Sequence, residues 1–132
     1  MKEPVWLDAG DTLAIHEILL VRHGGASGLR DEGLLESALE RPRQQFACAS
    51  PDIVEMAAAY TAGMVQNHPF VDGNKRTGFV VGILFLEMNG SEFTASEPEA
   101  AQAVLELAAG SIDETGFALF LRDHTKRVRK RV

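Results

Sequence analysis

The sequence predicts an all-α domain, and three observations carry that expectation. Apolar residues return at three- and four-residue spacing through most of the chain. Capping residues stand ahead of those stretches, and Gly or Pro stands behind them. The alternation of a half-buried strand never holds, so a compact bundle of about six helices around a buried central helix is the expected architecture.

Asp11 precedes Leu13, Ile15, Ile18 and Leu19, and Gly24-Gly25 halts the run, which predicts a helix near 11–23. A glycine-rich linker follows to Leu29. Asp31 then caps a short helix bearing Leu34, Leu35, Ala38 and Leu39, which Pro42 is expected to end. The stretch Arg41 to Ala49 reads as irregular. Ser50 as cap and Pro51 in the first turn open the next helix, whose Ile53, Met56, Ala57, Tyr60 and Met64 share a face. That helix stops at His68-Pro69. The following one, with Phe79, Val80, Ile83, Leu84 and Leu86, is apolar nearly all round, is expected to be the buried centre, and is closed by Asn89-Gly90. Glu92-Phe93-Thr94 is the one hint of extended chain. Ser96-x-x-Glu99 and Ser111-x-x-Glu114 match the capping box and predict helices near 97–109 and 112–124.

With 132 residues, 45% of them hydrophobic, the chain holds enough apolar material for one core. We therefore read a single domain over 1–125 with a basic tail at 126–132. Lys126, Arg127, Arg129, Lys130 and Arg131 leave eight basic residues against 19 acidic ones before them, so the body carries a net charge of −11. Such a body repels duplex DNA, and contact with nucleic acid is left to the tail or to a partner protein. The tail itself reads as a solvated, frayed end. The lone Cys48 cannot form an internal disulfide, in keeping with a reducing compartment. No apolar run is long enough for a membrane span and no signal-peptide core follows Met1, so a cytoplasmic location is expected.

The densest chemistry lies in His68-Pro69-Phe70-Val71-Asp72-Gly73-Asn74-Lys75-Arg76-Thr77. Pro69 cannot extend the preceding helix and drives His68 out of the right-handed helical region, so a loop begins at the histidine. Asp72-Gly73-Asn74 is turn chemistry, with Asn74 a suitable N-cap for the next helix. The free N–H groups of that helix start, joined by Lys75 and Arg76, make a ready anion site, for which phosphate is the natural occupant. Gly73 and Asn74 complete the cradle. Asp72 sits where a carboxylate can hold a magnesium ion bridging phosphate oxygens. His68 remains as a base able to take a proton from a hydroxyl near neutral pH.

These residues resemble the core motif of the Fic/Doc family, His-x-Phe-x-(Asp/Glu)-Gly-Asn-(Gly/Lys)-Arg, with every position filled. The segments Gly28-Leu29-Arg30-Asp31 and Gly33-Leu34-Leu35-Glu36-Ser37-Ala38-Leu39 are similar to what Doc-like chains carry upstream, and the resemblance spans roughly 5–124. Members that transfer AMP have Gly after the Asn and a second Arg three positions beyond the first. This chain has Lys75 and Phe79 there, as in the Doc (death-on-curing) branch, whose characterised members are toxins that phosphorylate a threonine of elongation factor Tu. The resemblance thus implies ATP and Mg2+ as cofactors, a Ser/Thr hydroxyl of a protein as acceptor, and Arg41 to Ala49 as the flap along the substrate groove. It also implies Phe70 as a buried anchor of the loop.

The same loop serves either of two reactions, AMP transfer if the α-phosphate lies over the helix start and phosphorylation if the γ-phosphate does. A lysine side chain at position 75 crowds the backbone where glycine would admit a second phosphate, and Phe79 offers no charge, so kinase chemistry leads. A catalytically silent binding protein is the third reading, opposed by intact His68 and Asp72. No Ser or Thr opens a (Ser/Thr)-x-x-x-Glu-(Gly/Asn) self-inhibiting segment. The resemblance therefore implies control by a Phd-type antitoxin that lays a peptide helix on the groove. His16, His23 and His124 have no motif around them and are assigned no role, while Met56, Met64 and Met88 read as core packing.

Overall fold

The computed structural model describes residues 2–128, and its elements run α1 (Ala9–His23), α2 (Glu32–Cys48), α3 (Ile53–Asn67), α4 (Asn74–Met88), β1 (Ser91–Phe93), α5 (Glu97–Ala109), α6 (Glu114–Asp123) and β2 (Thr125–Arg127). Six helices and one two-stranded sheet make an all-α fold. Among the described residues no helix is long and apolar enough to cross a membrane.

The central helix is α3, not the apolar helix after the motif. Every residue from Met56 to Val65 is buried, and α3 packs against α2, α4, α5 and α6. Small side chains explain this: Ala57, Ala58, Ala59, Ala62 and Gly63 let neighbours approach from all sides, and the Cα of Ala38 in α2 lies only 3.2 Å from where a Gly63 Cβ would stand. In α4, Val81, Phe85 and Leu86 are buried, while Phe79, Ile83 and Leu84 are only partly covered. Phe85 lies beside Tyr60 and Trp6, and the Tyr60 hydroxyl holds the backbone of Leu7 through its N–H and C=O. Of the methionines read as core, Met56 and Met64 are buried but Met88 is 39% exposed at the end of α4.

Helix starts moved wherever two caps competed. The cap of α1 is Asp8, in a capping box with Asp11; that of α3 is Asp52, with Glu55; and that of α6 is Asp113. In each case the carboxylate reaches the backbone N–H three residues on. Ser96 and Glu99 form the expected box at α5.

Pro42 does not end α2, which continues to Cys48, so the stretch read as irregular is helical. A proline within a helix forfeits one hydrogen bond and costs about 3 kcal/mol. Tertiary contacts on both sides of it offset that loss. Arg41 pairs with Glu114 and bonds Gln66, Gln45 donates to Glu114, and Phe46 sets its edge against Trp6.

The chain between Ser91 and Phe93 is extended, as Glu92-Phe93-Thr94 suggested, because β2 pairs with it antiparallel. Lys126 and Arg127, read as the start of a frayed tail, belong to that strand, and Lys126 lies 3.7 Å from Glu92. Arg129, Lys130 and Arg131 lie outside the described residues.

Candidate active site

The decapeptide forms the turn from α3 into α4. His68 is the C-cap of α3 and the one described non-glycine residue with positive φ, at φ 49° and ψ 57°. That left-handed conformation is strained for a residue bearing a Cβ and marks a position held by its surroundings. It takes His68 out of the right-handed region that Pro69 disfavours, so the chain leaves the helix at the histidine while the His68 N–H still bonds Met64 O at 3.2 Å. The His68 side chain is exposed at the rim of the turn.

Phe70, 1% exposed, anchors the loop in the core. Asn74 is not the cap that its sequence position suggested. Gly73, with φ 79°, takes the cap position and makes no side-chain cap bond, and Asn74 opens the helix. The buried Asn74 amide turns back on Phe70 instead, accepting from its N–H at 2.9 Å and donating to its C=O at 3.0 Å. Both sides of the Asn74 amide are thereby spent on the loop, which leaves the helix start open. Each of the other five helices has a carboxylate or hydroxyl over its first N–H groups. At α4 the first main-chain bond is Thr77 N–H to Gly73 O, which leaves the N–H groups of the preceding turn without a protein partner among the described residues. Lys75 and Arg76 extend from that turn, exposed and without an ion pair among the described residues.

Asp72 is exposed on the other side of the turn. Its Oδ1 accepts from Gly73 N–H at 2.8 Å and its Oδ2 from Ala26 N–H at 3.2 Å. The glycine linker comes this close because Gly25 lacks a Cβ; one placed there would lie 2.8 Å from Asp72 Oδ2. Among the described residues no group of three or more His, Cys, Asp or Glu side chains converges on a metal position. The acidic donor at the turn is Asp72 alone, a number that suits magnesium, which takes one or two carboxylates beside phosphate oxygens and water.

Two residues shape the site without having been read from sequence. His16 of α1, assigned no role there, is 4% exposed, donates from Nε2 to the Asp72 carbonyl at 2.8 Å, and stacks on Phe70. Its signal in the sequence is faint: Thr12 and His16, one turn apart, are the buried polar pair on that helix. Arg30 holds the start of the turn, with Nε 2.7 Å from His68 O and Nη2 2.9 Å from Asn67 O. Its signal is stronger, because it belongs to the Gly28-Leu29-Arg30-Asp31 run quoted for the resemblance.

A sequence profile described as the Fic/DOC family matches residues 6–86, more than half of the chain. The chain is 33% identical over 113 residues to "Protein kinase doc" of Escherichia phage P1, covering 85% of this chain and 89% of that one. It is 37% identical over 92 residues to "Toxin Doc" of Mycolicibacterium smegmatis, covering 68% of each. The match takes in the whole turn from His68 to Thr77 as well as His16 and Arg30, the two residues that hold it from outside. By this match, and by an all-α fold that exposes the motif histidine beside an uncapped helix start, the chain belongs to the Fic/DOC family.

Proposed function

We propose that this chain is a Doc-type toxin that transfers the γ-phosphate of ATP to a Ser or Thr hydroxyl of a protein, with the translation factor elongation factor Tu as the target. The observation that carries this reading is the open start of α4: main-chain N–H groups between Gly73 and Thr77 that have no partner among the described residues, flanked by Lys75 and Arg76 in an otherwise acidic chain. The printed names of the two relatives, a protein kinase and a toxin, support it.

In this reading a ring nitrogen of His68 takes the proton of the acceptor hydroxyl. The hydroxyl oxygen forms the new bond to the γ-phosphorus while the bond to the bridging oxygen breaks and ADP departs. The N–H groups of the α4 start, with Gly73, Asn74, Lys75 and Arg76, hold the transferred phosphate in place; Asn74 contributes through its backbone, since its side chain is engaged with Phe70. Asp72 would hold Mg2+, which supplies charge neutralisation on the phosphates when bound. A cytoplasmic setting follows from the substrates, and a Phd-type antitoxin covering the groove would supply control in trans.

The test is incubation with Mg2+ and ATP labelled on either the α- or the γ-phosphate, with bacterial lysate as the source of acceptor. Label is expected on a protein band from γ-labelled ATP only, and His68→Ala, which leaves the core untouched, is expected to abolish it while retaining a wild-type circular dichroism spectrum. Label arriving from α-labelled ATP would replace kinase by AMP transfer, and no label from either would leave a silent binding protein.

A further inference from the structure

We infer that Arg30 is a positioning residue that sets the orientation of His68 by holding its backbone in the left-handed conformation; the inference rests on the assignment of His68 as the base. Three consecutive carbonyls at the end of α3 are served from one short segment. Asn67 O accepts from Arg30 Nη2 at 2.9 Å, His68 O from Arg30 Nε at 2.7 Å, and Pro69 O from the main-chain N–H groups of Arg30 and Asp31 at 2.7 and 3.0 Å. The segment continues alongside the loop, with Leu29 bridged to Phe70 and Val71 N–H bonded to Gly28 O at 3.0 Å.

The geometry points to arginine chemistry in particular. Nε and Nη2 lie on one edge of a rigid planar fork, so two donors at fixed separation meet two successive carbonyls and fix the two peptide planes that flank the His68 Cα. The guanidinium charge also sits at the carbonyl end of α3, where a cation is favoured. His68 is the described non-glycine residue with positive φ, and a strained backbone of this kind persists only where neighbours over-determine it. Because Cβ moves with φ and ψ, fixing the His68 peptide fixes the direction from which its ring can approach a hydroxyl. Arg30 makes these bonds at the surface, so its removal costs the fold little burial.

The experiment compares wild type with Arg30→Met, which keeps the stem and loses the fork, and Arg30→Lys, whose single ammonium cannot reproduce a two-donor edge. Two readouts are taken: the His68 Cα and Cβ chemical shifts, and kcat and KM for ATP in γ-phosphate transfer. The expected result is a His68 shift change away from left-handed values in Arg30→Met. With it goes a fall in kcat of about 100-fold, the scale of a small misplacement of a reacting group, while the KM for ATP stays within about twofold. Arg30→Lys falls between the two. His68 shifts that remain at wild-type values, or a kcat within about twofold of wild type, would overturn the inference. So would a kcat loss matched by a proportionate loss of thermal stability. Should the wild-type chain transfer no γ-phosphate, the kinase reading falls by itself, and the chemical shifts still decide whether Arg30 holds His68.

Discussion

The rings of His16 and Phe70 lie parallel, with centroids 3.7 Å apart and an 8° angle between planes, and the same imidazole donates to the Asp72 carbonyl, 56 residues along the chain. One side chain of α1 therefore joins the buried anchor of the loop to the residue that presents its carboxylate. His16→Ala removes a buried ring and a buried hydrogen bond together, and a stability loss of about 2–4 kcal/mol is expected in urea unfolding. His16→Phe keeps the stack and loses the donor, so it should be less damaging to stability than to activity. A loss below about 1 kcal/mol for His16→Ala would mean the stack contributes nothing that water cannot replace.

Lys75 should matter to the reaction and not to the fold, because it is exposed on the first turn of α4. Lys75→Gly is expected to lower γ-phosphate transfer about tenfold, the scale of one charge-assisted hydrogen bond. Initial rates with γ-labelled ATP measure this. Undiminished transfer would show that the lysine neither binds phosphate nor selects the reaction.

The α3–α4 contact leaves no room at Gly82. A Cβ there would stand 2.3 Å from Thr61 Oγ1 and 3.0 Å from the Ala57 carbonyl, and Thr61 is itself fixed by donation to Gly78 O at 2.8 Å. Gly82→Ala should destabilise the domain by about 1–3 kcal/mol, and Gly82→Leu should do more. Thr61→Ala in the same chain should recover part of the Gly82→Ala loss, which a double-mutant cycle reads directly. Additive effects would place the strain elsewhere.

His124 gives the domain a pH dependence on its alkaline side. Its Nδ1–H donates to the Phe120 carbonyl at 2.9 Å, and Glu99 lies 3.3 Å from Nε2; the first of these, then the second, raises its pKa above the ordinary 6.5. A raised histidine stabilises fully below its unfolded pKa, and that stabilisation is lost as pH climbs through the folded value. The bonds from Ser96 and, secondarily, His124 hold Glu99 below its ordinary 4.5, so its share is present above that value and lost on acidification. Thermal unfolding should therefore show a falling midpoint as pH rises past 6.5, and Glu99→Gln should flatten the slope. An identical slope in the variant would exclude the pair as its source.

The number and order of the helices are legible because periodicity and capping are local, and the helix end at His68 and the buried Phe70 are legible because the motif is contiguous. What escaped was settled by distant partners. Asp8, Asp52 and Asp113 compete with nearby capping candidates of similar quality, and spacing alone does not rank them. Pro42 reads as a stop until Glu114 and Trp6 arrive from elsewhere to hold the chain beyond it. Asn74 has the chemistry of a cap, and only the fold shows that its amide closes on Phe70. His16 and Arg30 touch the site across dozens of residues, a relation that no local window contains.

The clamp of residues 28–31 on 67–71, together with the bond from His16 of α1 to Asp72, makes the decapeptide non-portable. Grafted between two helices of another scaffold, the same ten residues would bring the imidazole, the carboxylate and both cations, yet nothing would keep the histidine left-handed or the aspartate turned toward its neighbour. Transplanting the chemistry would require carrying the first helix and the glycine linker along with it.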